Sequence, residues 1–270
     1  MPHARDGNLR IHYRDTGADA TPIVLIHGHP FNSSAWGPQE DALGKSLRLV
    51  LPDLMGFGES EGPEQRAYYS VDTFAGNVLA VMDAAGIDKA IIGGLSLGGY
   101  VTFALWRLAR TRIAGLVLAD TKAEADNDDA RATRTAQQQR IEREGISTLA
   151  DEMLAGPLLS DATRADKPDV VERARRAMDN PAAGWVGALH AMKERPDSTP
   201  NLSSIDVPTL IVVGEHDAIT PPALARLMHE QIAGSRLAVI PAAGHLSNLE
   251  APSHFSGAVA EFVSEAAGGI

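Results

Sequence analysis

The chain has no cysteine among its 270 residues, so it can build no disulfide framework, offers no thiolate nucleophile and presents no cysteine ligand to a metal. That absence fits a reducing compartment. It also lacks any apolar run long enough to cross a bilayer, since the longest, such as Ala90–Leu97 and Ile113–Ala119, are of strand length. The stretch from Met1 to Thr21 interleaves His3, Arg5, Asp6, Arg10 and Asp15 with isolated apolar residues, which is not the pattern of a secretory leader. A soluble, cytoplasmic protein without a membrane partner is the expectation. Positive charge is scarce too: 24 Lys and Arg against 35 Asp and Glu give a formal net charge of −11. The basic residues are scattered between acids and form no stripe, so nucleic acid is not an expected partner.

What is present is a 44% hydrophobic content, enough to fill one substantial core. Leu9–Arg14 alternates apolar and polar residues as an edge hairpin strand would, and Ile23–Ile26 is a short continuous run suited to a buried strand. Further strands are expected at Leu47–Leu51, Ala90–Gly93, Ile113–Ala119, Thr209–Gly214 and Leu237–Ile240. Helical spacing marks Ser33–Leu43, Val71–Ala85, Tyr100–Ala109, Pro222–Ile232 and Ser253–Val263, with Gly86 ending the second of these. Strands alternating with helices of this length call for an α/β fold with a mostly parallel sheet covered on both faces.

The stretch 122–200 breaks the rhythm. It holds no credible strand, and polar helices are expected at Ala130–Glu144, Ile146–Leu154, Val170–Met178 and Ala182–Lys193. Its apolar residues are too sparse for a core of its own. We read 1–121 and 201–270 as the core domain and 122–200 as a helical cap inserted into it.

Gly94-Leu95-Ser96-Leu97-Gly98 follows a strand and precedes a helix, the setting that gives a Gly-x-Ser-x-Gly pattern its chemical meaning. Small residues on both sides permit a tight turn that lifts the Ser96 hydroxyl over the end of the sheet, beside the first N–H groups of the helix. The bland alternative is a glycine-rich turn whose serine merely caps a helix. A serine hydroxyl needs a base, and the base needs an orienting acid. Of nine histidines, His245 lies directly after the last strand on a flexible loop; His27, His29, His216 and His254 compete, the last sitting in a polar helix as a solvated residue would. Asp217, just beyond the strand Thr209–Gly214, is favoured as the acid. Asp120 is the serious alternative, its other role being to tie down the entrance to the insertion. His27-Gly28-His29-Pro30 supplies a compact loop after a strand, and the main-chain N–H groups of His29 and Leu97 are assigned to an oxyanion hole.

These segments, together with Leu51-Pro52-Asp53-Leu54-Met55-Gly56-Phe57-Gly58-Glu59-Ser60, resemble the α/β-hydrolase superfamily. More narrowly they resemble its soluble esterase and enol-lactonase-like branch, which also contains haloalkane dehalogenases, epoxide hydrolases and carbon–carbon bond hydrolases. The resemblance implies an eight-stranded, mostly parallel sheet carrying serine, acid and histidine in chain order, matching Ser96, Asp217 and His245. It also implies a helical cap between the sixth and seventh strands, and a mostly structural role for Asp53 to Ser60. Dehalogenases and epoxide hydrolases of this kind use an aspartate where this chain has Ser96, and 122–200 contains no tyrosine of the sort epoxide hydrolases need. His29 and Leu97 do not fit proline-releasing peptidases.

The expectation is therefore a serine esterase that forms an acyl-enzyme on a small-molecule ester or lactone, with no cofactor and no metal. A lactonase, a cofactor-free perhydrolase or dioxygenase, or a non-catalytic small-molecule receptor are the alternatives. Oligomeric state is not legible. The cap residues Met153, Leu154, Leu158 and Leu159, with Trp185, Val186 and Leu189, are expected to line the substrate site. Phe31, Leu95 and Leu97 would join them from the core side. Such a lining is hydrophobic and, with no clustered cation nearby, predicts that neutral substrates outperform anionic ones.

Overall fold

The computed structural model describes residues 2–268 of the chain. Eight strands form one sheet: β1 (His3–Asp6), β2 (Leu9–Asp15), β3 (Pro22–Ile26), β4 (Arg48–Pro52), β5 (Ala90–Leu95), β6 (Ile113–Ala119), β7 (Thr209–Gly214) and β8 (Arg236–Ile240). Their spatial order is β1-β2-β4-β3-β5-β6-β7-β8. The β1–β2 and β2–β4 pairs are antiparallel, and every later pair is parallel. All residues of β5, β6 and β7 are buried, which explains why, Thr209 apart, their sequences are apolar throughout: a strand covered on both faces has no solvent side to mark with polar residues.

The helices of the core are α1 (Gly37–Leu43), α2 (Val71–Ala84) and α3 (Leu97–Ala109). Between β6 and β7 run α4 (Asp128–Glu144), α5 (Ser147–Ala155), α6 (Asp161–Asp166), α7 (Pro168–Ala177) and α8 (Ala182–Glu194), without a strand. After β7 come α9 (Pro222–Gln231), the short α10 (Ser247–Glu250) and α11 (Pro252–Gly268). Helix α2 packs on α3 and β1, whereas α1 packs on α11. Local chemistry sets the α2 boundaries: the Ser70 hydroxyl accepts the Thr73 N–H, the Thr73 hydroxyl accepts the Ser70 N–H, and Gly86 leaves the helix at φ +66°. In 122–200, α4 lies against α8, and the Gln138 side chain donates to the Val186 carbonyl at 2.8 Å.

One expectation is corrected. Leu9–Arg14 does not form the sheet's edge; β2 sits between β1 and β4, and β1 takes the edge. The sequence of β1, His-Ala-Arg-Asp, buries only Ala4, so four residues carry too little alternation to be read as a strand. Among the described residues no helix is long and apolar enough to cross a membrane.

Candidate active site

The turn at the end of β5 is built by steric necessity. A Cβ on Gly94 would meet the Gly98 carbonyl carbon at 2.1 Å, and one on Gly98 would meet the Ile26 carbonyl oxygen at 2.2 Å. Ser96 itself sits at φ +53°, a left-handed conformation that costs a side-chain-bearing residue free energy and that packing must hold in place. The strain aims its hydroxyl away from the sheet, where His245 meets it: the Ser96 Oγ to His245 Nε2 distance is 2.9 Å. On the other side of the ring, His245 Nδ1 lies 2.8 Å from Asp217 Oδ2.

Asp217 is fixed by its own loop. Its Oδ1 accepts the N–H groups of Ile219 and Thr220 at 2.8 and 2.9 Å, and its Oδ2 accepts the Thr220 hydroxyl at 2.7 Å. Burial alone would push its pKa up, but the His245 charge and these hydrogen bonds hold the carboxyl below the usual range. His245 is 2% exposed. Burial disfavours its cation, yet the adjacent Asp217 carboxylate outweighs that and raises its pKa. A histidine so placed binds a proton more readily than a free imidazole.

Asp120 does not bond to His245. Its Oδ1 accepts the Gly214 N–H at 2.8 Å and its Oδ2 accepts the Ser247 hydroxyl at 2.5 Å, so it ties the end of β7 to the segment that follows His245. Burial, and then the charge of Asp217, push its pKa up to about 8. Glu250 was not foreseen at all. Buried at the end of α10, it accepts the N–H groups of Gly244 and Leu246 at 2.9 and 3.3 Å with one oxygen, and that of Ser160 at 2.8 Å with the other. Both residues flanking His245 are thereby anchored. The sequence signal is a glutamate set between Leu249 and Ala251, and nothing local names its partners.

On the facing loop, the peptide joining His29 to Pro30 is cis. Among the described residues no acceptor takes the main-chain N–H of His29 or of Leu97. The His29 ring packs edge-on to Trp185 at 5.4 Å, and its Nδ1 is buried without a partner. Burial, with the charges of Arg134 and His27, lowers its pKa well below the ordinary value, so the ring is neutral. His27 serves the scaffold: its Nε2 accepts the Leu54 N–H at 3.0 Å. Asp53 likewise accepts from Ser33 and Glu59 and meets His12 Nδ1 at 2.8 Å, away from Ser96.

Ser96, His245 and His29 open onto a cavity of about 190 Å³, walled by Leu149, Met153 and Leu158 from 122–200 and by Ile219 from the loop of Asp217. Sites for drug-sized ligands run to roughly 300–1,000 Å³, so this one suits small groups. Eight expected lining residues are not in its wall, among them Leu154 and Leu159, which are buried in the core. Phe31 and Leu95 are core residues at 1% and 0% exposure, and Trp185 packs behind His29. Val186 and Leu189 ride on α8, where the Val186 carbonyl is turned to Gln138 of α4. Leu97 meets the site through its backbone. Tyr100, Met192, Gln137 and Arg134 line the cavity instead. Arg134 brings a single cation to the wall, where the sequence showed no cluster of them; its spacing along α4 gave no hint of which face would turn inward. Among the described residues, no group of three or more His, Asp or Glu side chains is placed to hold a metal.

Comparison with known proteins sets this geometry in context. The family model for the alpha/beta hydrolase fold matches residues 21–252. A thermophilic esterase from Thermogutta terrifontis, solved with malate bound, is 36% identical with a TM-score of 0.91, covering 96% of this chain and 94% of that one. The enol-lactonase from Burkholderia xenovorans LB400 is 30% identical with a TM-score of 0.89, covering 97% and 100%. The 3-oxoadipate enol-lactonase 1 of Acinetobacter baylyi is 28% identical over 238 residues, 88% of this chain and 86% of that enzyme. The chain is thus a hydrolase belonging to the alpha/beta hydrolase family, on the branch that holds these esterases and enol-lactonases.

Proposed function

We propose that this chain is a serine hydrolase that cleaves small carboxylic esters, lactones among them, through an acyl-enzyme on Ser96. The observation that carries the reading is the continuous hydrogen-bonded line from Ser96 Oγ through both ring nitrogens of His245 to Asp217. His245 takes the hydroxyl proton on Nε2 as Ser96 Oγ attacks the acyl carbon, and Asp217 stabilises the imidazolium that forms. The N–H groups of His29 and Leu97 receive the oxyanion. Collapse breaks the bond to the alkoxide oxygen, which leaves with the proton from His245. A water molecule then gives its proton to the same nitrogen, attacks the acyl carbon and frees the acid and Ser96. The esterase and enol-lactonase relatives support this substrate range, and the segment 122–200 acts as the cap that limits acyl size.

The test is a panel of p-nitrophenyl esters and lactones assayed against wild type and Ser96→Ala. Turnover of at least one ester by wild type, and its loss in the variant, is the expected result. A variant that hydrolyses every one of those esters at the parental rate would refute the assignment.

A further inference from the structure

The N–H of His29, proposed above as an oxyanion donor, belongs to a loop outside every strand and helix. Gly28 runs so close to Ser96 that a Cβ there would lie 3.0 Å from the Leu95 carbonyl oxygen and 3.2 Å from Ser96 Cβ. Beyond it the Phe31 N–H bonds back to the Gly28 carbonyl at 2.9 Å, which closes the loop on itself. The hydrogen bonds that fix residues 30–32 from outside come from the segment 122–200. The Asn32 N–H donates to the Ala177 carbonyl at 3.0 Å, and the Pro30 carbonyl accepts from Asn180 Nδ2 at 2.8 Å.

Asn180 lies in the turn between α7 and α8 and is 5% exposed. Its amide offers two N–H donors and two lone pairs, and all four are used. Nδ2 donates to the Pro30 and Ala177 carbonyls at 2.8 and 2.9 Å, while Oδ1 accepts the Gly58 N–H at 2.7 Å and Asn32 Nδ2 at 3.1 Å. Carbonyls stand on one side of the amide and a main-chain N–H on the other, so it fits in one orientation only. Aspartate of the same shape would lack both donors. One side chain thus joins the α7–α8 turn, the His29 loop and the loop after β4. The helix that follows is seated as closely: a Cβ on Gly184 would meet the Gly56 carbonyl oxygen at 1.9 Å, and Trp185 packs on the His29 ring. The ring of Pro30 fixes its φ, so a shift of its carbonyl passes along the chain toward His29 instead of being taken up by rotation there.

We propose that Asn180 is a positioning residue for the oxyanion hole: it locks the His29 loop to the α7–α8 turn, so that the hole is complete only while that turn is docked. The inference rests on the reading of Ser96 as nucleophile and of the His29 N–H as oxyanion donor. The oxyanion forms only as Ser96 attacks, so a loosened hole lowers kcat and leaves KM near its parental value.

The experiment assays p-nitrophenyl butyrate with wild type, Asn180→Ala and Gln138→Ala, the last removing a buried amide that joins α4 to α8. Asn180→Ala should lower kcat by about tenfold to hundredfold, the scale of a misplaced oxyanion donor, with KM changed by less than about twofold. An alkyl trifluoromethyl ketone reads the hole directly: Ser96 Oγ adds to its carbonyl carbon, the hydroxyl proton passes to His245 and the carbonyl electron pair becomes the oxyanion. Its Ki should rise by the factor that kcat loses. Gln138→Ala should melt at lower temperature yet keep kcat and Ki. Parental kcat in Asn180→Ala, a loss confined to KM or to melting temperature, or an equal loss of kcat in Gln138→Ala would overturn the proposal. Hydrogen exchange of the wild-type protein decides the lock without substrate, and does so if Asn180→Ala fails to fold. As urea is raised, peptides 28–34 and 176–184 should lose protection together; a loop that stays protected after 176–184 has opened refutes the lock. Should wild type cleave no ester, the nucleophile assignment fails by itself, and the exchange result alone judges the lock.

Discussion

Replacing Glu250 by alanine tests how His245 is held. The side chain is buried at 2% exposure, and its two oxygens take the Gly244 and Ser160 N–H groups at 2.9 and 2.8 Å, with Leu246 more distant at 3.3 Å. A buried donor stripped of its acceptor costs about 1–3 kcal/mol, so the two well-formed bonds set a loss of about 2–6 kcal/mol. Against a typical domain stability of about 5–15 kcal/mol that is a large fraction, readable as a lower urea midpoint. Glutamine keeps one acceptor and turns an NH₂ group toward a donor, so it should fall between alanine and wild type in its effect. The same change reaches catalysis in two ways. Gly244 and Leu246 flank His245, so kcat should fall as their loop loosens. Glu250 is also one of the charges that raise the His245 pKa; its removal lowers that pKa, and the acid limb of the kcat/KM profile should move to lower pH. An alanine variant within about 0.5 kcal/mol of wild type, with unchanged kcat and pH profile, would refute this reasoning.

Other outcomes follow from the same geometry. Asp217→Asn should keep the fold, checked by its melting curve, while kcat drops by about 10⁴-fold because the amide no longer holds the His245 tautomer; a loss under tenfold would contradict the orienting role. Asp120, whose pKa is raised from 3.8 to about 8, binds its proton more tightly in the folded chain than unfolded, so wild type loses stability as pH rises through that window. Asp120→Asn cannot ionise, and denaturation at pH 5 and pH 8 should show its stability relative to wild type improving with pH; parallel curves would count against it. Gly98→Ala would drive a Cβ to 2.2 Å from the Ile26 carbonyl, a backbone atom that cannot turn aside, and should cost about 1–3 kcal/mol or more. An unchanged melting temperature would show that the turn has slack.

The parts of this molecule that could be read from sequence are those where one local pattern has one physical solution. Ile113–Ala119 and Leu210–Gly214 are unbroken apolar runs because both faces are covered, and the strands Ile113–Ala119 and Thr209–Gly214 have the boundaries expected of them. Gly94 and Gly98 around Ser96 are small because backbone fills the space a Cβ would need. Asp217 and His245 follow strands that end at the same rim, which is why chain order alone could bring them to Ser96. Side chains whose role depends on a distant partner were not legible. Glu250 is defined by Ser160, 90 positions away, and Asp120 by Ser247, 127 away. Trp185 and Leu189 were expected in the cavity because they are apolar, but hydrophobicity does not distinguish a residue that lines a cavity from one packed behind it. Arg134 shows the converse: in a polar helix every arginine reads as solvated until Asp126 turns one of them inward.

The central claim is that Ser96 is the nucleophile, and covalent capture addresses it without choosing a substrate. Wild type and Ser96→Ala would be incubated with a fluorophosphonate, digested and mapped by tandem mass spectrometry. The account predicts a stoichiometric adduct on the peptide containing Gly94–Gly98, located at Ser96, with none in the variant. No adduct on active wild-type protein, or one at another residue that persists in Ser96→Ala, would contradict it.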